Sequence, residues 1–530
     1  SEKNHQRWVR VPAPRGLILD RKGRILATNA PVLTAWLVSG EVRRNAWDAL
    51  LQRLTAIGIY PDLATAEATL RDTRRYPSYL PVRLQSDMSI GMITRLEEEL
   101  PSLPGVYLQA EPVRRYPNGA LAAHLLGFLR EIDADEMVER ADQGYHAGDR
   151  LGKAGLERLY EEGLRGVEGR DEVEVDAAGR VLRKLRSRRY QAGKTLVLTL
   201  DLQVQQAAEQ ALAGHRGAVV ALDPATGAIL ALANAPSIDP NIMSGRLSPE
   251  LNRQWRASGA EFCRATAGLY PPGSVFKIVT ATAALEAGKI TQDSSFYCDG
   301  AYLGIHCWKR AGHGFLPLTE AIAQSCNVAF MKIAQSTGIH PLVAMAHRFG
   351  LGERVGFDLL PENAGIVPDP EWARTVAHRR WEVGDTLQVG IGQSSLEITP
   401  MQSARIAAAY ANGGLLVHPY VVTTEGGLPQ LTQPARPIGL KADTMQTVIH
   451  GLRAVVGEGT AKSMDPTLHI AGKTGTAQNP RGNDHAWFVG FAPTEHPTIA
   501  IAVLIENGGH GGAVAAPIAE RVIRAALRPE

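Results

Sequence analysis

The chain has 530 residues, 45% of them hydrophobic and 21% charged, with 56 basic against 54 acidic side chains. That length implies more than one domain around buried apolar cores, and hydrophobicity combined with near-neutral charge excludes intrinsic disorder. The even charge balance gives no case for nucleic-acid binding, and no apolar run approaches the roughly 18–20 residues that span a bilayer.

Residues 1–190 form a first unit, rich in arginine. Its β-like runs at Gly16–Leu19 and Val32–Val38 alternate with helical stretches at Leu63–Thr73 and Ile90–Leu100. In the last of these Ile90, Met92, Ile93, Leu96 and Leu100 recur at helical spacing, which predicts one buried face. The basic stretch Arg186–Gly193 reads as an exposed linker. Beyond it Leu196–Leu200 alternates like a strand, and Asp201 caps a helix over Leu202–Ala213. Gly217–Leu222 and Ala228–Ala233 flank turn-forming Asp223-Pro224-Ala225-Thr226-Gly227, which predicts a β-hairpin. Ala486–Phe491 and Thr498–Leu504 pair around the Pro493–Pro497 turn, and Ala516–Leu527 closes the chain as a helix with Pro517 in its first turn. Strands at both ends of residues 191–530 and helices between them predict a sheet assembled from distant segments, an α+β multidomain chain overall.

Three short motifs carry chemistry. In Tyr270-Pro-Pro-Gly-Ser274-Val-Phe-Lys277 the prolines stiffen the approach, and Gly273 allows a sharp turn into a helix expected from about Ser274 to Ala287. Ser274 then sits at a helix N-terminus, which favours developing negative charge, and Lys277 can reach back over one turn. A serine is a weak nucleophile until a base takes its proton, and a partly desolvated lysine is such a base. Ser325-Cys326-Asn327 follows the helical run Leu318–Gln324; a hydroxyl beside a lysine relays a proton, and an amide holds a substrate carbonyl. In Ala471-Gly-Lys473-Thr474-Gly475-Thr476-Ala477 the lysine and threonines offer a cation and donors for a carboxylate, and Gly475 lets a substrate backbone approach. A G-x-x-x-x-G-K-[ST] phosphate loop is excluded, because Thr467 stands where its first glycine belongs. Singly, each motif also fits plainer structure: a helix cap, a polar turn, an edge strand. Together and in this order, S-x-x-K, S-x-N and K-T-G are the signature of penicillin-recognising serine acyltransferases.

Residues 191–530 accordingly resemble a penicillin-binding transpeptidase domain. Arg15–Ala27, Arg114–Gly127, Gly155–Glu157 with Tyr160–Gly166, and Val173–Arg180 are similar to segments of the non-catalytic, dimerisation-type pedestal of class B penicillin-binding proteins. Trp308-Lys-Arg-Ala-Gly-His313-Gly314 and Gly390-Ile-Gly-Gln393 with Thr399-Pro400 resemble the elongation-type members rather than the division-type ones.

The resemblance implies a central antiparallel sheet flanked by helices and a peptidoglycan D,D-transpeptidase activity. Ser274 would attack the penultimate D-Ala carbonyl of a stem peptide, expel the terminal D-Ala and hold an acyl-enzyme, which a neighbouring stem's amine resolves into a crosslink. β-Lactams would take the same site. Lys277 carries over as base, Ser325 as proton relay and Asn327 as substrate-orienting amide. Lys473, Thr474 and Thr476 would recognise the terminal carboxylate beside Gly475, and the N–H groups of Ser274 and Thr476 would form the oxyanion hole. An inner-membrane anchor upstream of Ser1, a periplasmic catalytic domain, and pedestal contacts to a SEDS-family glycosyltransferase and to elongation scaffold proteins are implied as well. A serine β-lactamase or sensor domain, a D,D-carboxypeptidase and a scaffold with a dispensable catalytic unit are the competing readings.

Of four cysteines, Cys298, Cys307 and Cys326 fall with His313 in one short window, and Cys326 lies inside the second motif. Three thiolates and an imidazole make a closed tetrahedral set for structural Zn²⁺, with Asp299 and His306 as substitute ligands. A Cys298–Cys307 disulfide is the alternative in an oxidising compartment. The family resemblance implies carboxylate, His and Cys ligands at corresponding places.

Overall fold

The computed structural model describes residues 5–528 apart from 74–77, 79–80, 87, 147, 176–180, 246 and 481. Gly217–Leu222 is buried at every position and Ile229–Ala235 at all but the last, the pattern of strands covered on both faces. They pair as the expected hairpin and continue into a five-stranded antiparallel sheet. Its order is Ile229–Ala235, Gly217–Leu222, Ile499–Ile505, His485–Ala492, Ala471–Ala477, so the K-T-G motif lies on an edge strand. The helices Leu202–Ala211 and Ala515–Ala526 pack together on this sheet, and Pro400–Ala411 packs on its central strands. Asp201 caps the first of these helices by accepting the Gln203 N–H at 2.9 Å.

In the N-terminal part the long strand Ile25–Val38 pairs with Val106–Arg115 and Pro81–Gln85. Beyond it the helices Trp47–Ile57, Leu63–Thr73 and Ile90–Glu99 close around a separate small core that includes Leu50, Leu54, Tyr60, Leu84 and Leu96. The buried face expected on the third helix is narrower than its spacing suggested. Leu96 is buried, Met92, Ile93 and Leu100 pack partly on the core, and Ile90 is 84% exposed. Ile90 directly follows the Ser89 cap, and six residues before Leu96 is a poor spacing for sharing a helix face.

Arg186–Gly193 is exposed as expected, with only Gly193 partly buried, but it begins as a strand rather than a linker. Val181–Arg188 is a strand paired with Gly169–Val175, which pairs in turn with His5–Val11, and Gln191 bridges to Val167. Lys184 meets Asp171 and Arg186 meets Glu172 across this ribbon; cross-strand charge pairs take the place of an apolar face, so no apolar alternation marks this solvated segment as a strand.

The two units share a sheet. Ile18–Leu19 runs parallel to Leu196–Leu198, which pairs on its other side with Val422–Glu425. One continuous core holds Ile18, Leu26, Leu125 and Leu156 together with Leu196, Leu200 and Leu230. Three of the pedestal-like segments converge on Glu157, which is fully buried. It accepts from Arg15 Nε at 2.5 Å, Arg114 Nε at 2.6 Å and Tyr116 Oη at 3.0 Å. Residues 176–180 of the fourth segment lie outside the described residues.

Candidate active site

Ser274 lies in a 3-10 turn, Gly273–Phe276, and the α-helix begins only at Lys277. The expected helix start at Ser274 is therefore corrected. Gly273 takes φ +53°, and a Cβ there would come within 2.6 Å of the Thr476 carbonyl oxygen. The tight turn lets the serine segment lie directly against the K-T-G strand.

Lys277 joins the first motif to the second. Its side chain is 1% exposed, and Nζ donates to Asn327 Oδ1 at 2.7 Å, to the Ser325 carbonyl at 2.8 Å and to Ser325 Oγ at 3.2 Å. Ser325 reaches this geometry through a left-handed backbone, φ +52°, a conformation that a non-glycine residue holds at some cost. Cys326 then caps the helix Asn327–Thr337, its Sγ accepting the Ala329 N–H at 3.4 Å. Burial pushes the Lys277 ammonium down to about 8, with the Cys326 and Cys307 sulfurs opposing the shift. Lys473 is fully buried, and burial together with the charge of Lys277 holds it well below the ordinary lysine value. Two lysines thus share one low-dielectric space, where the charge of Lys277 disfavours that of Lys473.

On the K-T-G strand Lys473 Nζ donates to the Thr474 carbonyl at 2.9 Å, and Thr474 Oγ1 shares a 2.5 Å contact with Thr460 Oγ1. Gly475 also has a packing role that its motif did not announce. A Cβ there would meet Trp487 Cβ and Val275 Cγ2 at 3.0 Å and the Pro272 carbonyl at 3.1 Å, so its bare Cα admits the Ser274 turn. Thr476 is only partly buried. Its carbonyl accepts from Gln393 Nε2 and its Oγ1 from the Gly511 N–H, both at 3.4 Å. Gln393, Thr460 and Gly511 were not among the residues singled out by chemistry. The Gly-x-Gly-Gln pattern could have flagged Gln393; Thr460 carries no local signal.

The predicted metal ligands come together. The ligand atoms of Cys298, Cys307, His313 and Cys326 all lie within 4.8 Å of one another, and His313 Nδ1 is 3.5 Å from Cys298 Sγ and 3.6 Å from Cys307 Sγ. Cys298 and Gly314 face each other in the hairpin of Ser295–Cys298 with Gly314–Pro317. Trp308 Nε1 donates to the Gln324 carbonyl at 2.9 Å, which ties this loop to the second motif. Asp299 and His306 are not in the group. Cys263 is buried elsewhere, beside Thr266.

A family model described as the penicillin binding protein transpeptidase domain matches residues 217–524, and one described as the penicillin-binding protein dimerisation domain matches residues 10–198. The chain is 34% identical over 552 residues to a peptidoglycan D,D-transpeptidase MrdA of Acinetobacter baumannii, covering 97% of this chain and 80% of that protein. A penicillin-binding protein PBP2 of Helicobacter pylori, solved in complex with MreC, superposes with a TM-score of 0.83 at 27% identity, covering 98% of each chain. A chain of a peptidoglycan synthase complex, solved to show how polymerization and crosslinking are coordinated, has a TM-score of 0.77 at 31% identity, covering 100% of this chain and 93% of that one.

Proposed function

This chain belongs to the penicillin-binding transpeptidases and is a transpeptidase enzyme, and from that premise we propose that it crosslinks peptidoglycan stem peptides through an acyl-enzyme on Ser274. The observation that carries the reading is the three-way contact of Lys277 Nζ with Asn327 Oδ1 and both oxygens of Ser325. A lysine with a depressed pKa exists partly as the neutral amine near neutral pH and can take the Ser274 proton as Oγ attacks the penultimate D-Ala carbonyl. The N–H groups of Ser274 and Thr476 hold the resulting oxyanion. The C–N bond to the terminal D-Ala then breaks, and the Lys277–Ser325 pair returns the proton to the leaving amine. An acceptor stem's amine attacks the ester, loses its proton to the same pair, and restores Ser274. Lys473, Thr474 and Thr476 hold the terminal carboxylate, and Asn327 orients the peptide. A β-lactam acylates Ser274 in the same way but leaves slowly. Incubation with a fluorescent penicillin and peptide mapping should place the adduct on Ser274; stoichiometric labelling of Ser274→Ala would sink the assignment, and rapid release of the label would favour a β-lactamase instead.

Cys298, Cys307, His313 and Cys326 fit a structural Zn²⁺. Zn–S bonds of about 2.3 Å and Zn–N bonds of about 2.0 Å in a tetrahedron put ligand atoms about 3.5–3.8 Å apart, in line with the 3.5 and 3.6 Å separations at His313. The bound ion would cross-link the 298–314 loop to Cys326 and so steady the turn that presents Ser325. Metal analysis of protein purified without added zinc should find about one ion per chain. Sub-stoichiometric metal with a mass two protons short of the reduced chain would point to a Cys298–Cys307 disulfide.

The N-terminal unit serves association rather than chemistry. The H. pylori PBP2–MreC complex and the peptidoglycan synthase complex support scaffold and synthase partners; our proposal adds that the pedestal makes these contacts, that the polymerase is of the SEDS class and that the setting is cell elongation. Among the described residues no helix is long and apolar enough to cross a membrane; a periplasmic catalytic domain is our reading, supported by the relatives' role in wall synthesis, and an inner-membrane anchor upstream is part of the same proposal.

A further inference from the structure

We infer that Glu506 is a positioning residue that sets the separation of the two oxyanion-hole N–H groups, by clamping the approach to Ser274 and the end of the K-T-G strand to one dipeptide, Glu506-Asn507. This rests on the assignment of that hole to Ser274 and Thr476. Glu506 follows the strand Ile499–Ile505. Its Oε1 accepts from Tyr270 Oη at 2.7 Å and from Arg264 Nε at 2.8 Å, and its Oε2 accepts from Arg216 Nε at 3.3 Å. Tyr270 is 6% exposed and packs edge-on against His485 and Trp487, with ring centroids at 5.4 and 6.3 Å. Its backbone exchanges hydrogen bonds with Ile398, and the carbonyl of Pro271 next to it accepts from Trp487 Nε1 at 3.0 Å. The segment leading to Ser274 is therefore held at its ring, its hydroxyl and its backbone, and the hydroxyl's anchor is Glu506.

Asn507 secures the other half of the hole. Its N–H donates to His485 Nδ1 at 3.2 Å, and its Oδ1 accepts from Asn479 Nδ2 at 2.7 Å. His485 pairs with Ala477, the residue after Thr476. Asn507 takes a left-handed φ of +54°, which turns the chain back toward the strand, and Gly511 in the same loop donates to Thr476 Oγ1. One short loop thus grips both Tyr270 and the residues around Thr476. Arg264 is 3% exposed and already pairs with the carboxylate, so the Tyr270 bond is not needed to neutralise Glu506. Its consequence is geometric. Two donors that must meet one developing oxyanion lose effect when displaced by about 1 Å, a misplacement that can cost on the order of 100-fold.

The test is the limiting acylation rate constant of the full chain with a chromogenic β-lactam, measured beside its non-covalent dissociation constant. Glu506→Gln should lower the rate constant about 10- to 100-fold, with the dissociation constant held within about two-fold. Misfolding would instead lower the labelled fraction while the remaining molecules reacted at the normal rate. Tyr270→Phe removes only the hydroxyl, should keep the thermal midpoint, and should reproduce most of the loss; the double variant should be no slower than Glu506→Gln alone. The proposal is overturned if Tyr270→Phe acylates at the wild-type rate, or if the two losses multiply. Should Glu506→Gln fail to fold, Tyr270→Phe decides alone. If Ser274→Ala still labels, the site assignment itself fails; if that variant is silent while both clamp variants react normally, only the clamp fails.

Discussion

The N–H of Gly273 donates to the carbonyl of Gly392 at 2.8 Å, and a Cβ on Gly392 would lie 1.9 Å from the Gly273 carbonyl oxygen. Gly392 also takes φ +77°. The loop after the helix Val383–Gly390 therefore abuts the residue before the nucleophile with no space for a side chain, while Gly273 itself abuts Thr476. Gly392→Ala must either push the Ser274 turn away or open its own loop. Its expected result is a loss of stability on the order of 3 kcal/mol or more, with strongly reduced penicillin labelling at temperatures where the variant is folded. Normal acylation by a variant of unchanged thermal midpoint would contradict the packing described.

Lys277 gives the pH dependence a definite sign. The neutral amine is the base, and its conjugate acid titrates at about 8. Below that value the acylation rate constant should rise about ten-fold per pH unit, and above it the rate should level off. The burial that depresses the ammonium comes with the folded site, so a free lysine's profile, still climbing at pH 10, would mean that Lys277 is solvated. A flat profile from pH 6 to 9 would mean that another group takes the proton.

The chemistry was legible in sequence because each motif packs its reacting groups into a few consecutive residues, so that Ser274 and Lys277 fall in one 3-10 turn and the first residue of the helix after it. The hairpin 217–235 and the paired strands 485–505 were legible because burial on both faces leaves unbroken apolar runs. The failures share a cause of the opposite kind. Tyr270 and Glu506 are 236 residues apart, and neither sits in a periodic pattern that would mark the contact. Ile18–Leu19 is a two-residue strand, too short to signal that it joins the sheet of the catalytic unit. Val181–Arg188 pairs through charges, which resemble a solvated loop. The packing of Gly475 against Trp487, Val275 and Pro272 was missed, because sequence shows that a glycine is needed but not what approaches it.

Glu157 should be the most sensitive position of the pedestal. Burial alone would raise its pKa, but the Arg114 and Arg15 guanidiniums outweigh that and hold the carboxyl below its ordinary value. Glu157→Gln leaves two nearly buried cations, 3% and 8% exposed, and among the described residues Glu161 alone still pairs Arg15. Removing one partner of such a network costs about 3–5 kcal/mol. A depressed folded pKa contributes stability above the unfolded value, about 4.3, and that contribution is lost as pH falls through the lower folded value. The gap in thermal midpoint between wild type and Glu157→Gln should therefore be wide at pH 7 and narrow as pH drops below about 4. A gap that stays constant down to pH 3 would show that the ion pairs contribute nothing.

The boundary near residue 190 should not be one at which the chain can be cut. Leu196, Leu198 and Leu200 are each 0% exposed, and Ile18, Leu26, Leu125, Leu126 and Leu156 share their core. Removing residues 1–190 deletes those five side chains and uncovers the faces of Leu196, Leu198 and Leu200 that met them, a leucine being worth about 1.5–3 kcal/mol when fully buried. It also unpairs Leu196–Leu198 from Ile18–Leu19 and strips Asp201 of Arg24, which it holds at 2.8 Å. The sum is on the order of 10 kcal/mol, comparable with the roughly 5–15 kcal/mol that stabilises a typical domain. A chain of residues 191–530 should accordingly lack a cooperative thermal transition and fail to acylate. The distal lobe is a different case, because its core is separate and its two ends meet: the Val38 N–H donates to the Gly105 carbonyl at 2.8 Å. Replacing residues 39–104 by a short turn should leave the penicillin acylation rate constant within about two-fold of wild type, since such a deletion touches no group that acts in the transition state. Cooperative unfolding and normal acylation by residues 191–530 alone would refute the shared core, and loss of acylation on excising the lobe would show that the distal unit supports the active site.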